Sequence, residues 1–362
     1  MTARLLEAAG RVRPIDGNWH RRAATRLDRL TKPPGSLGRL ESIAARLCAI
    51  QETDAPRAEP RRIVVFAADH GVAAEGVSAY PPSVTAQMVG NFLRGGAAIN
   101  ALAGVTGADV CVIDVGVAGD IDTSGTAAAF VSRRVRPGTG NITHGPAMSQ
   151  VEMISALDTG LDVADAAARD NVAVIAFGDM GIGNTTVASA MTAALTGATP
   201  REVTGAGTGI DSGTHARKVD AVRRALQVNR PGRDPLEILR TLGGLEIAAV
   251  TGACIGAASH RIAIVGDGFI ATAAALVAAA LCPPFPGYWF AGHLSSEPGH
   301  RVQLAHLRQA PLLRLDMRLG EGSGAALAMS LLGAAAAVMN GMATFESAGI
   351  SAPLLVSESA PS

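Results

Sequence analysis

From residue 62 the chain repeats one alternation: a short apolar run ending in glycine or aspartate, then an alanine-rich stretch with helical spacing. The runs are RIVVFAAD (62–69), DVCVIDVGV (109–117), NVAVIAFGD (171–179), RIAIVGDG (261–268) and PLLRLDMRLG (311–320). Strands that are apolar on both faces belong to a parallel sheet covered by helices, since a sheet with one wet face would alternate. The pattern predicts a mainly parallel α/β sheet flanked by helices over residues 61–330. Residues 1–60 read instead as charged helices, broken at TKPPGSLGRLE (31–41), where Pro33, Pro34 and Gly35 cannot continue a helix. Residues 324–347 return to helix. The expected organisation is therefore a large α/β domain over 61–330 and a smaller helical domain from 1–60 and 331–362, with SESAPS (357–362) as a disordered tail.

Composition narrows the partners. The 31 basic and 31 acidic residues cancel without long runs of either sign, which argues against nucleic acid or an anionic membrane. Two Trp, two Tyr and eight Phe leave little for base stacking. Cys48, Cys111, Cys254 and Cys282 are scattered among apolar or small residues, so buried free thiols are expected rather than disulfides. The N-terminus lacks the apolar core of a signal peptide. Two apolar runs, 264–285 and 324–339, read as packed helices, the first because Asp267 stands near its start and the second because it is short and small-residue rich. A cytoplasmic protein is expected.

In sheets of this kind ligands gather at the carboxyl ends of the strands, and each conspicuous motif follows one of the five runs. GDMGIGNTT (178–186) resembles a phosphate loop, with glycines that let N–H groups converge on a helix start, yet Asp179 stands at its front and the P-loop lysine is missing. Asn184, Thr185 and Thr186 are natural caps there. A tight turn needing glycine for sterics alone is an equal reading. GAGTGID (205–211) is a second glycine turn, followed by His215, Arg217 and Lys218, with Arg217 expected on a solvated face. RLGEGSGAAL (318–327) holds Glu321 in a third; a carboxylate there repels phosphate but suits a general base of raised pKa, the alternative being a cap for the helix that follows. Asp69 and His70 end the first run, in a segment whose later Tyr80 could line a slot for a flat ring. His293, Glu297 and His300 in GHLSSEPGH look like metal ligands, but the spacing is not H-E-x-x-H and Pro298 interrupts it, so no metal is expected.

LTKPPGSLGRLE, ADHGV, GDMGIGNTT, GTGID, DGFI, GHLSSEPGH and RLGEGSGAALA occur in this order from residue 30 onward. Together they resemble the nicotinate-nucleotide:dimethylbenzimidazole phosphoribosyltransferase family over most of the chain. The resemblance implies a Rossmann-like sheet, a helical domain from both chain ends, and a homodimer. It implies transfer of phosphoribose from nicotinate mononucleotide to 5,6-dimethylbenzimidazole in cobalamin lower-ligand synthesis, without cofactor. Glu321 matches the family's general base. Asp179, Gly181, Gly183, Asn184, Thr185, Gly207, Thr208, Gly209 and Lys218 match the phosphate and ribose site. Tyr80, Gln87, Met88, Leu319 and Gly320 match the base site, and Asp267 in DGFI is a further candidate. The family usually has Glu at Asp179, so the role of this shorter acid departs from the pattern. A non-catalytic relative or a transferase preferring another base is the alternative; an NAD-linked oxidoreductase is disfavoured, because no G-x-G-x-x-G follows the first run.

Overall fold

The computed structural model describes residues 2–207 and 209–351, so Thr208 and the SESAPS tail lie outside the described residues. Six parallel strands form one sheet: β1 Arg61–Ala68, β2 Ala108–Gly116, β3 Ala129–Ser132, β4 Val174–Met180, β5 Ala263–Gly266 and β6 Trp289–Ala291. Their order is β3-β2-β1-β4-β5-β6, the doubly wound arrangement whose strand order reverses between β1 and β4. The central strands are buried on both faces: Ile63 to Ala68 in β1 and Val174 to Phe177 in β4 are fully inaccessible. That burial is why their sequences run apolar without alternation.

The chain divides into two compact units, residues 1–14 with 59–330 and residues 15–58 with 331–362. Residues 1–14, read from sequence as part of the helical domain, cluster with the sheet. Their helix Ala3–Arg11 buries Leu5 and Ala8, and Arg4 reaches Asp162 at 2.8 Å. The smaller unit holds helices Gly17–Arg29 and Arg39–Gln51 and the distal part of Ser323–Gly341, tied by Arg26 Nε to Met339 O at 3.0 Å and Asn340 Nδ2 to Pro56 O at 2.8 Å. The TKPPG break serves it: Lys32 Nζ, almost fully buried, lies 2.7 Å from Glu41 Oε1.

Three strand assignments change, one lost and two gained. PLLRLDMRLG is not a strand; it runs irregularly beside β6, touching it through Leu312 N–H to Ala291 O at 2.8 Å and Leu313 N–H to Gly292 O at 3.0 Å. Asp316 at φ 52° breaks its pleat, and Leu315 and Leu319 are half exposed, so apolar content there is not burial. The edge strands β3 and β6, of four and three residues, are too short to leave a periodic signal. Of the apolar runs, Ser323–Gly341 is long and apolar enough by length and composition to cross a membrane, with half of that window buried inside the protein; Phe269–Leu281 is too short. Cys48, Cys254 and Cys282 are buried free thiols, whereas Cys111 is only partly covered.

Candidate active site

Glu321 is held at the carboxyl ends of the strands by a close backbone approach. A Cβ on Gly178 of β4 would lie 2.3 Å from the Glu321 carbonyl carbon, so only glycine lets the 320–322 loop rest on the strand. The Glu321 N–H donates to Asp179 O at 3.3 Å. Glu321 itself sits at φ 63°, a left-handed conformation that costs a non-glycine residue roughly 1 kcal/mol and that recurs at functional sites.

The helix Ser323–Gly341 is capped, but not by Glu321. Asp267, one residue beyond β5, accepts from Gly324 N–H at 2.8 Å, Ala325 N–H at 3.1 Å and Gly322 N–H at 3.1 Å. It thereby occupies the favourable anionic position at the helix N-terminus. Glu321 is left with one backbone donor, Ile99 N–H to Oε2 at 3.3 Å. Burial pushes the Glu321 carboxyl above its ordinary value and Asp267 adds to the effect, against the pull of the Ile99 amide. The alternative of a capping glutamate is thus filled by another residue.

Asp179 is buried and accepts from Asn184 Nδ2 at 2.8 Å. Burial, then the charges of Asp267, Glu246 and Glu321, raises its carboxyl well above the usual aspartate range. Asn184 is the first residue of the helix Asn184–Thr196, whose N-cap is Gly183 at φ 98° with no side-chain bond, and its amide serves this acid instead. Lys218, 1% exposed, donates to Thr185 Oγ1 at 2.8 Å and Gly205 O at 3.1 Å. Burial lowers its ammonium to about 8, Glu297 opposing. Gly207 is clamped at both ends of its residue: its N–H donates to Glu297 Oε1 at 2.8 Å and its carbonyl accepts from Arg318 at 2.8 Å. Arg217 is exposed and bonds Thr214.

A cavity of about 100 Å³ lies at the ends of β4, β5 and β6, lined among others by Asp179, Thr185, Gly207, His293, Glu297 and Gly320; Glu321 and Lys218 are not among its walls. The enclosed part is small for a dinucleotide. Of the proposed site residues, Gly181, Asn184 and Leu319 also line it, while Gly183 and Gly209 shape the two turns at positive φ. Tyr80, Gln87 and Met88 are not among its walls: Tyr80 is 51% exposed, and Gln87 and Met88 lie on the helix Val84–Arg94. That helix still meets the site, since Thr85 Oγ1 accepts from Ile182 N–H at 3.2 Å.

Asp69 and His70 part company. Asp69 Oδ2 accepts from Ala118 N–H at 2.8 Å, whereas His70 Nε2 lies 2.8 Å from Glu246 Oε1 with both side chains inaccessible. Glu246 sits in LEIAAV, where no local signal sets it apart from any helical glutamate. His300 is no metal ligand as placed. Its Nδ1 accepts from Ser295 N–H at 2.9 Å, so Nε2 carries the proton toward Thr272 Oγ1 at 3.0 Å, and burial followed by His293 lowers its imidazole to about 3. Among the described residues no group of three His, Cys, Asp or Glu is arranged for a metal.

A doubly wound sheet with a glycine-walled crevice at its strand ends is the architecture of an α/β protein that takes its ligand there. The chain matches the phosphoribosyltransferase family over residues 12–350. It is 49% identical over 348 residues to the nicotinate-nucleotide–dimethylbenzimidazole phosphoribosyltransferase of Geobacter metallireducens, covering 96% of this chain and 98% of the relative. It is 50% identical over 342 residues to the enzyme of the same name from Desulforudis audaxviator, covering 94% and 96%. The crystal structure of the Thermus thermophilus phosphoribosyltransferase of that name superposes with a TM-score of 0.87 at 49% identity, over 93% of this chain and all of that one. A second structure, of CobT from the same organism, gives 0.88 at 49% identity, again over 93% and 100%. The chain belongs to the nicotinate-nucleotide–dimethylbenzimidazole phosphoribosyltransferase family.

Proposed function

We propose that the protein transfers the 5-phosphoribosyl group of nicotinate mononucleotide to 5,6-dimethylbenzimidazole, releasing nicotinate and α-ribazole 5′-phosphate for the lower ligand of cobalamin. Glu321 is the general base. As one ring nitrogen of the azole attacks C1′, the other N–H becomes acidic, and a carboxylate of raised pKa takes the proton as positive charge develops. The pyridinium leaves with the bonding electron pair and is neutral at its nitrogen, so it needs no acid. Attack opposite the leaving group inverts C1′ and yields the α-linkage. Lys218, Thr185, the turn at 181–185, Gly207 and Gly209 take the phosphate. Asp179, raised by burial and partnered by Asn184, lies on the sugar side; Tyr80, Gln87, Met88, Leu319 and Gly320 flank the azole. The observation that carries the reading is the release of Glu321 from helix capping by Asp267, which leaves a buried carboxylate with a single amide partner.

The test is a product assay with purified protein, both substrates and a chelator. Stoichiometric nicotinate and α-ribazole 5′-phosphate are expected; binding of the nucleotide with no product from any azole or phenol would leave only a non-catalytic binder. The family resemblance also supports a cytoplasmic homodimer, which light scattering on the eluted protein checks for subunit number.

A further inference from the structure

His70 and Glu246 take no part in the transfer chemistry, yet the fold buries both side chains completely. His70 Nε2 stands 2.8 Å from Glu246 Oε1, and neither the ring nitrogens nor the carboxylate oxygens have a hydrogen-bond partner among the described residues. A buried carboxylate without donors is strongly destabilising unless a cation compensates it, and His70 is the basic group beside this one. Glu246 is the second residue of the helix Leu245–Ser259, where the macrodipole also favours an anion.

Three missing side chains make room for His70. A Cβ on Gly244, the N-cap of the Glu246 helix, would lie 2.5 Å from the His70 Cε1. One on Gly181 would lie 3.0 Å from its Nε2, and one on Gly183 would lie 3.3 Å from its Cβ. The side chain is thus wedged between the start of that helix and the backbone of the 181–183 turn. Of the turn's amides, Ile182 N–H is held by Thr85 Oγ1 at 3.2 Å, while the Gly183 N–H meets no acceptor among the described residues.

We propose that His70, held by Glu246, is a positioning residue for the nucleotide's phosphate: it bears the Gly181–Gly183 turn and fixes the direction of its amides without touching substrate. This rests on the phosphoribosyl-transfer reading above, which puts the phosphate on that turn. Gly183 stands at φ 98°, and a glycine there has little stiffness of its own, so the aim of its amide depends on what the backbone rests against. Amides aimed in advance hold an anion better than amides that must be ordered on binding. The imidazole supplies the bearing surface, and the ion pair keeps the imidazole in place. Breaking the pair also leaves a buried negative charge uncompensated near Asp179, whose carboxyl is already raised in part by Glu246.

Titration calorimetry on the full chain compares nicotinate mononucleotide with nicotinate riboside, which lacks the phosphate. The proteins are wild type, His70→Asn, His70→Gln and Glu246→Gln. The asparagine side chain is too short to meet Glu246, whereas the glutamine amide nitrogen falls near the place of Nε2. His70→Asn should weaken the mononucleotide by about tenfold or more, as for a lost charge-assisted hydrogen bond, and the riboside by less than about twofold. His70→Gln should stay within about threefold of wild type, and Glu246→Gln should repeat the loss confined to the mononucleotide. Equal loss of both ligands marks a merely structural pair and overturns the proposal. So does an unchanged mononucleotide affinity in His70→Asn, or a His70→Gln protein no better than His70→Asn. If the variants do not fold, a crystal structure of wild type with the mononucleotide decides: a phosphate seated on the 181–183 amides above an unmoved His70 supports the role, and one seated elsewhere overturns it. If wild type binds the mononucleotide on that turn but makes no product with any azole, the transfer reading falls and the positioning role stands.

Discussion

Three neighbouring buried acids have been given different work by their nearest donors. Asp267 takes three amides and becomes part of the fold, Glu321 takes one and keeps its basicity, and Asp179 takes an amide side chain among like charges. Glu321→Gln should lower kcat by about 10²–10⁴-fold, the range of a general base, while calorimetry finds nucleotide binding retained. Near-wild-type turnover would assign the proton to another group. Asp179→Asn should do the reverse for stability. The folded protein raises the Asp179 pKa, so its favourable contribution is present below the ordinary aspartate range and lost as pH rises through the raised value. Asparagine mimics the neutral form and should stabilise the protein by about 1 kcal/mol or more at neutral pH. In calorimetric melts the gain should shrink on acidification; a gain independent of pH would contradict the burial argument.

Among the elements, the motifs at strand ends are legible because glycine and aspartate interrupt apolar runs, a local signal. What those residues touch is not. Gly178 reads as one more loop glycine, yet it is the position on which the Glu321 loop rests. Gly178→Ala should displace that loop and cost about 10²-fold in kcat/KM, as ångström-scale misplacement of a reacting group does. A crystal structure of the variant with the loop unmoved would remove this account. Asn184 reads as a helix cap, but it stands one residue inside the helix, after the N-cap Gly183, and its Nδ2 donates to the unsolvated Asp179. The fifth run reads as a strand only where apolar content is equated with burial, and its half-exposed leucines break that equation.

At the scale of the molecule, the fold joins Glu321 and Lys218, over a hundred residues apart, into one pH response. kcat/KM should fall on the acid side where Glu321 is protonated, at a pH above that of an ordinary glutamate, and on the alkaline side near 8, where free-enzyme Lys218 loses its charge. Lys218→Arg should move the alkaline limb upward whatever happens to the plateau, since guanidinium stays charged. An unmoved limb would assign it to another group. The layered parallel sheet, the placing of chemistry at strand ends and the family are legible in the chain, because periodicity and ordered motifs are properties of sequence neighbours. Which carboxylate caps, which stays free, which histidine pairs with Glu246 and which stands at the cavity wall emerges only on folding. Those outcomes depend on burial and on donors supplied by distant segments, and neither is written in local spacing.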